Sequence, residues 1–301
     1  MLSSFIQSKF FDEKNRKKLI NSLCHRYPFL KCGVLSKSLC GRDIEYLRIG
    51  KGKEQALFIG GVHGMEWLTS LLLLVFCERL CISIAQGERL LGIDMKSFLE
   101  KKGLFIIPCV NPDGTEISIH GAQEARAYKN LVLDVGRENI SNWQANARGV
   151  DLNHNFDASW EELSKLEKKY GILGPAPTRY GGIKPESEVE TKVLTSLCRK
   201  VYFRHAIAFH SQGEEIYWNY GEDTPKESFI MANIMGKSSG YKVSEPEGLA
   251  VGGGFKDWFI KEFKRPAFTV EIGKGKNPLP MDDIVDIYRK LEKMLIFSTI
   301  M

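Results

Sequence analysis

The seven cysteines of this 301-residue chain form no CxxC pair and no cysteine–histidine spacing of the kind that holds zinc, and their number is odd. That pattern argues against a small zinc module or a CxxC redox site, and it predicts buried free thiols in a reducing compartment. Charge of one sign is also scarce. Lys and Arg number 42 against 37 Asp and Glu, a formal balance of +5. The densest basic run, KNRKK from Lys14, reads as a solvated helix face, so nucleic-acid binding is not expected. The opening stretch, MLSSFIQSKFFDEKNRKK, has no apolar run of signal-peptide length, because Asp12 and Glu13 interrupt it. The longest apolar stretch, Leu68 to Cys77, is too short for a bilayer span and is followed by Glu78 and Arg79. Together these features predict a cytoplasmic protein without a membrane partner. No Pro/Gly/Ser-rich linker, repeat or low-complexity tract divides the chain, which points to one domain.

What is present is an alternation of strand and helix patterns. DIEYLRI (43–49) alternates like a half-exposed strand, and QALFIGG (55–61) is continuously apolar like a central one. Residues 66–85 read as helix, LFIIPCV (104–110) as a buried strand, and Asn111-Pro112-Asp113-Gly114 as a turn. A helix over 187–200, strands HAIAFH (205–210) and AFTVEIG (267–273), and a closing helix over 282–297 follow. The expected fold is α/β: a single domain with a mixed, mostly buried sheet and helices on both faces.

Polar residues recur where apolar strands stop: His63, Asn111, His210 and Glu271. In open α/β sheets ligands bind beyond the carboxyl ends of the strands. His63 and Glu66, three apart at a glycine turn, make a close pair of metal-ligand type. Catalytic zinc takes three His/Glu-type ligands and keeps a fourth position for water. Of the other histidines, His210 is the best third ligand. It ends a strand before the polar turn Ser211-Gln212-Gly213, whereas His205 opens that strand, ~17 Å away at the rise of a strand. His25 lies in an N-terminal segment without other site features. Glu271, set among Phe268, Val270 and Ile272, is a carboxylate that burial would push toward a general-base pKa.

The ordered set His63, Glu66, His210, Glu271, with HGMEW, NPDG, RGVDLNHNFD, FHSQG and TVEIG around it, resembles the zinc carboxypeptidase family from about residue 30 onward. Residues 1–30 are then expected to form a helical extension packed on a catalytic domain of 31–301. The resemblance implies one zinc per chain held by His63, Glu66 and His210. It makes Glu271 the base that activates water and Asp151 the carboxylate that orients the first histidine ligand. Asn153 matches a grip on a substrate carboxylate. The arginine that stabilises the oxyanion is assigned to Arg148, with Arg137 in reserve. Ser211 and Gln212 are expected beside the substrate, and Lys256, in GGGFKDW, at the pocket floor facing a substrate carboxylate.

Two departures bear on specificity. His154 stands where digestive-type members carry an arginine that clamps the C-terminal carboxylate bidentately, which histidine cannot do. Leu249 occupies the place of a tyrosine near the glycine turn, although Tyr241 is a substitute from elsewhere in the chain. NWQANARGVDLNHNFDASW, GPAPTRYGGIKPESEVET and FHSQGEEIYW resemble the branch of bacterial γ-D-glutamyl-diamino acid peptidases. That branch implies cleavage between γ-D-glutamate and meso-diaminopimelate in peptidoglycan stem peptides. Glu214 and Glu215, which follow the strand ending at His210, read first as a solvated turn and second as partners for the distal ammonium. A conventional carboxypeptidase and an inactive muropeptide binder are the alternatives. Oligomeric state is not legible.

Overall fold

A computed structural model of the chain describes residues 9–136, 140–245 and 248–301. Its frame is an eight-stranded mixed sheet in the order β1-β2-β4-β3-β5-β8-β6-β7. The strands are β1 (Lys31–Lys37), β2 (Asp43–Ile49), β3 (Gln55–Ile59), β4 (Gly103–Ile107), β5 (Phe203–His210), β6 (Glu215–Tyr217), β7 (Lys242–Ser244) and β8 (Ala267–Glu271). The central strands β4, β3, β5 and β8 are parallel to one another, and β2 and β6 flank them antiparallel. Every residue of β3 and β4 is buried, as strands covered on both faces require.

Two large apolar clusters fill the layers on either side of this sheet. One gathers Phe58, Phe76, Phe209 and Phe268 with the helices α1 (Glu13–Arg26), α2 (Leu68–Gln86) and α10 (Ile284–Ile300). The other gathers Leu57, Ile59 and Phe203 with α7 (Val189–Lys200) and α9 (Phe255–Phe263). Helix α1 is no separate unit: Leu19, Ile20 and Leu23 belong to the first cluster. Asp12 caps it, accepting from the Asn15 N–H at 2.9 Å.

The apolar segment Gly64–Gln86 is 23 residues long, so length and hydropathy alone admit a membrane span that the shorter Leu68–Cys77 reading did not. Its most apolar window is 78% buried in the protein, which makes it a core helix. The strands end earlier than their apolar runs suggest: β4 stops at Ile107 and β8 at Glu271. The residues beyond them turn into loops at the site. The edge strands β1 and β7 and the three-residue β6 between β8 and β7 carry no strong apolar pattern in the sequence.

One thiol expectation is corrected. Cys24, in α1, and Cys32, in β1, form a disulfide with their Cα atoms 6.4 Å apart. Cys40, Cys77, Cys81, Cys109 and Cys198 are buried free thiols as expected. Spacing could not reveal the pair, because the turn at 27–30 is what returns β1 beside the end of α1.

Candidate metal centre and active-site cleft

The parallel strands all point their carboxyl ends at one side of the molecule. Beyond β3 the chain passes through Gly60 and Gly61 and presents His63 in extended backbone, ahead of a single 3-10 turn, Gly64–Glu66. Gly64 has no room for a side chain: a Cβ there would lie 2.3 Å from the Gly114 carbonyl oxygen. This packing carries His63 and Glu66 over the sheet edge. His210 is the last residue of β5, and Glu271, the last of β8, is its register partner on the adjacent strand.

Three ligand atoms converge there. Glu66 Oε1 lies 2.9 Å from His63 Nδ1, Glu66 Oε2 lies 3.0 Å from His210 Nδ1, and the two Nδ1 atoms are 3.2 Å apart. The three residues' donor atoms all fall within 4.8 Å of one another. Two imidazole nitrogens and a carboxylate, with Glu66 and His210 buried, are the donor set of a divalent zinc ion in a site that keeps a position open.

Behind the ligands, Asp151 holds the ring of His63. Its Oδ1 lies 3.2 Å from His63 Nε2, and its Oδ2 accepts the Arg179 N–H at 2.8 Å. Burial works against the charge on Asp151, but the His63 and His154 imidazoles and these hydrogen bonds hold its pKa well below the ordinary value. An oriented, more basic imidazole is the consequence.

Burial raises the Glu271 carboxyl well above its ordinary pKa. The charges of Glu66 and Glu215 push the same way, and His63 pulls against them. Burial thus disfavours the charged form of this carboxylate, the direction that suits a group that takes up a proton.

These groups open on a cleft of about 940 Å³ lined by His63, Asp151, Asn153, His154, Gln212, Lys256 and Glu271, among others. The side chain of Asn153 accepts the Phe255 N–H at 3.2 Å, which ties the cleft wall to the start of α9. His154 Nδ1 lies 2.8 Å from Glu167 Oε1. Leu249 is at the cleft, as the sequence comparison of the glycine turn implied. Tyr241 is not: it is buried, and its hydroxyl accepts the Gly273 N–H at 3.1 Å. Tyr217 lines the cleft instead.

Several of the residues expected at the substrate are engaged with partners within the chain. Arg148 does not line the cleft; its guanidinium is bidentate to Glu188, with Nε and Nη2 at 3.1 and 2.6 Å from the two carboxylate oxygens. Arg137, the reserve for that role, lies outside the described residues. Ser211 is buried behind the lining, donating to Asn277 Oδ1 at 2.7 Å. Lys256 reaches the cleft, but its ammonium is bound to Asp257 and to the Asn219 carbonyl, so its charge is already met. Glu214 pairs with Lys274 and Lys290, and Glu215 with Lys242. Asn111, past the end of β4, caps the helix that begins at Pro112, and its side-chain amide donates to the Val62, Gln144 and Ala145 carbonyls, a structural role.

Sequence reasoning missed Gln144, Thr178, Arg179, Lys276 and Asn277 on the cleft wall. All five lie on irregular chain, where no periodicity marks which side chains face inward. The positive φ of Arg179, +68°, is a feature that only coordinates reveal.

Comparison with known proteins agrees with this site. A model of the family described as zinc carboxypeptidase matches residues 17–293, beginning inside α1 rather than near residue 30. The chain is 33% identical over 273 residues to γ-D-glutamyl-L-diamino acid endopeptidase 1 of Lysinibacillus sphaericus, covering 90% of this chain and 67% of that one. Among solved structures, bovine thrombin-activatable fibrinolysis inhibitor in complex with tick carboxypeptidase inhibitor superposes with a TM-score of 0.74 at 19% identity, covering 98% of this chain and 97% of the other. Murein-tripeptide amidase MpaA of Escherichia coli O157 shares the fold at a TM-score of 0.52 and 19% identity, with 89% of each chain covered. With His63, Glu66 and His210 gathered at one sheet edge and the family match spanning nearly the whole chain, this protein belongs to the zinc carboxypeptidase family and is a zinc metallopeptidase.

Proposed function

We propose that the protein hydrolyses the bond between γ-D-glutamate and meso-diaminopimelate in peptidoglycan stem peptides. The observation that carries the reading is His154 on the cleft wall. An arginine there would clamp an ordinary peptide C-terminus with two parallel hydrogen bonds, and an imidazole offers at most one. The name of the Lysinibacillus relative, an endopeptidase for γ-D-glutamyl-L-diamino acids, supports the same substrate class.

Bound at His63, Glu66 and His210, zinc supplies Lewis acidity toward the scissile carbonyl and acidifies water. Glu271 takes a proton from the attacking water and returns it to the leaving amine of diaminopimelate. Asp151 keeps His63 in its ligating orientation. Asn153 and His154, on one turn of chain beside Glu271 in the cleft, receive the leaving-side carboxylate. No nucleophilic side chain takes part, so no covalent acyl-enzyme forms. Part of the proposal is that the enzyme works in the cytoplasm on internalised muropeptides, a reading that the five buried free thiols support and the Cys24–Cys32 disulfide opposes; cell fractionation with activity measured in each fraction tests that part.

The direct test is incubation of zinc-loaded protein with L-Ala-γ-D-Glu-meso-diaminopimelate, followed by mass spectrometry. Free diaminopimelate and L-Ala-D-Glu are the expected products. Rapid release of C-terminal Phe, Leu or Arg from ordinary L-peptides, with the tripeptide left intact, would overturn the proposal in favour of a conventional carboxypeptidase. Zinc bound without turnover of either would mean an inactive binder.

A further inference from the structure

Helix α6 (Trp160–Lys169) delivers a carboxylate into the wall behind His154. Glu167 is 3% exposed. Its Oε1 lies 2.8 Å from His154 Nδ1, and its Oε2 accepts the Gly181 N–H at 3.2 Å. Among the described residues it has no lysine or arginine partner. A buried carboxylate without a cation is costly. The group placed to balance it is the imidazole of His154.

The surroundings fix both partners. Gly181 packs so closely that a Cβ would lie 2.6 Å from the His154 carbonyl oxygen and 3.3 Å from Glu167 Oε1. The Gly181 carbonyl in turn accepts from Trp160 Nε1 at 2.9 Å and from Asn155 Nδ2 at 2.7 Å. From the other side, a Cβ on Gly253 would lie 2.9 Å from the His154 Cα. With Nδ1 committed to Glu167, Nε2 is the ring nitrogen left for a ligand in the cleft.

We infer that Glu167 is a positioning residue that holds the His154 ring with Nε2 turned to the cleft, and that this pair reads the substrate carboxylate next to the leaving amine. The inference rests on the proposed function and names the device behind its specificity. The logic is that of a buried carboxylate orienting an imidazole. The ring so held offers one hydrogen bond to the charged substrate carboxylate. An arginine at the same place would bring its own charge and two donors.

The test is a cycle between protein and substrate on the zinc-loaded full chain. Two substrates are compared: L-Ala-γ-D-Glu-meso-diaminopimelate with the carboxylate beside the leaving nitrogen free, and the same peptide with that carboxylate amidated. The unmodified enzyme should prefer the free acid. Glu167→Gln, nearly isosteric and still able to accept from Gly181, should lower kcat/KM on the acid about 10–100-fold, the worth of one charge-assisted hydrogen bond. The loss should fall in KM rather than kcat, and the amidated peptide should change by less than about threefold, within the scatter of one lost neutral bond. His154→Asn should remove the same preference, and the double variant should lose no more than either single one. Glu167→Asp, which keeps the charge, should recover part of it even if Glu167→Gln folds poorly. Equal losses on acid and amide, or no loss on the acid, would overturn the role of Glu167 while tripeptide cleavage by the unmodified enzyme left the proposed function standing. If the unmodified enzyme cleaves neither peptide, the proposed function fails and this inference falls with it.

Discussion

The Nδ1 atoms of His63 and His210 lie 3.2 Å apart, although 147 positions separate the two residues in the chain. A cation shared by the two rings and the Glu66 carboxylate accounts for this close approach of two ring nitrogens. One zinc per chain is therefore expected by metal analysis of the purified protein. His210→Ala should lose that metal and all turnover while circular dichroism shows the sheet intact, because the ligand sits at a strand tip. Zinc retained at full stoichiometry by His210→Ala would remove this residue from the site.

Glu271 shares its register position with His210 across adjacent strands and is pushed toward a high pKa by burial and by Glu66. Glu271→Gln keeps the shape, relieves the cost of burying a charge, and cannot take a proton. Turnover should fall by ~10²–10⁴-fold, the usual range for a positioned general base, with zinc content and KM little changed. Near-normal kcat in a zinc-loaded Gln variant would mean that another group is the base.

Arg148 illustrates a residue whose importance is structural. Its bidentate partner Glu188 is 1% exposed, whereas the arginine side chain is 39% exposed. Arg148→Ala strips a buried carboxylate of its cation and should destabilise the fold by ~1–3 kcal/mol, below the figure for a fully buried pair because water reaches the guanidinium. Zinc content should hold, and kcat should fall less than about tenfold. A loss of kcat beyond ~10²-fold at unchanged melting temperature is the signature of an oxyanion donor and would restore that role.

His205, at the far end of β5 from the metal, bonds the Ser298 carbonyl at 2.8 Å through Nε2. Burial pushes its pKa down to about 3, and the neighbouring Arg204 adds to the effect. Between about pH 6.5 and 3 the unfolded chain binds a proton at this site and the native chain does not. Its contribution is therefore fully favourable above about pH 6.5 and is lost as pH falls toward 3, at up to ~1.4 kcal/mol per pH unit. Urea unfolding at several pH values should show this slope reduced by one proton in His205→Asn. An identical slope in the variant would show that His205 is protonated in the native state.

Much of the site was legible in the chain because strand ends are legible. Apolar runs that stop at His63, His210 and Glu271 place those groups at one edge once the strands are parallel, and the ordered motif around them names the chemistry. Their mutual distances came from the tertiary structure, which sets β5 beside β8 in register and lays the 3-10 turn that follows β3 over the same end of the sheet. Arg148 shows where such reading ends. Its motif position next to Asp151 said nothing about the buried Glu188, forty residues later, that takes its guanidinium. The same holds for the disulfide between Cys24 and Cys32, for the ion pairs that occupy Glu214, Glu215 and Lys256, and for Glu167 behind His154. Sequence by itself marked the α/β order through local periodicity, and the family resemblance of its motifs pointed to the three ligand candidates and to Glu271 as the proposed base. Only the tertiary structure decided which charged side chains face the cleft and which are already neutralised, because a long polar side chain finds its partner through the packing of distant elements, and that partner leaves no mark in the residues beside it.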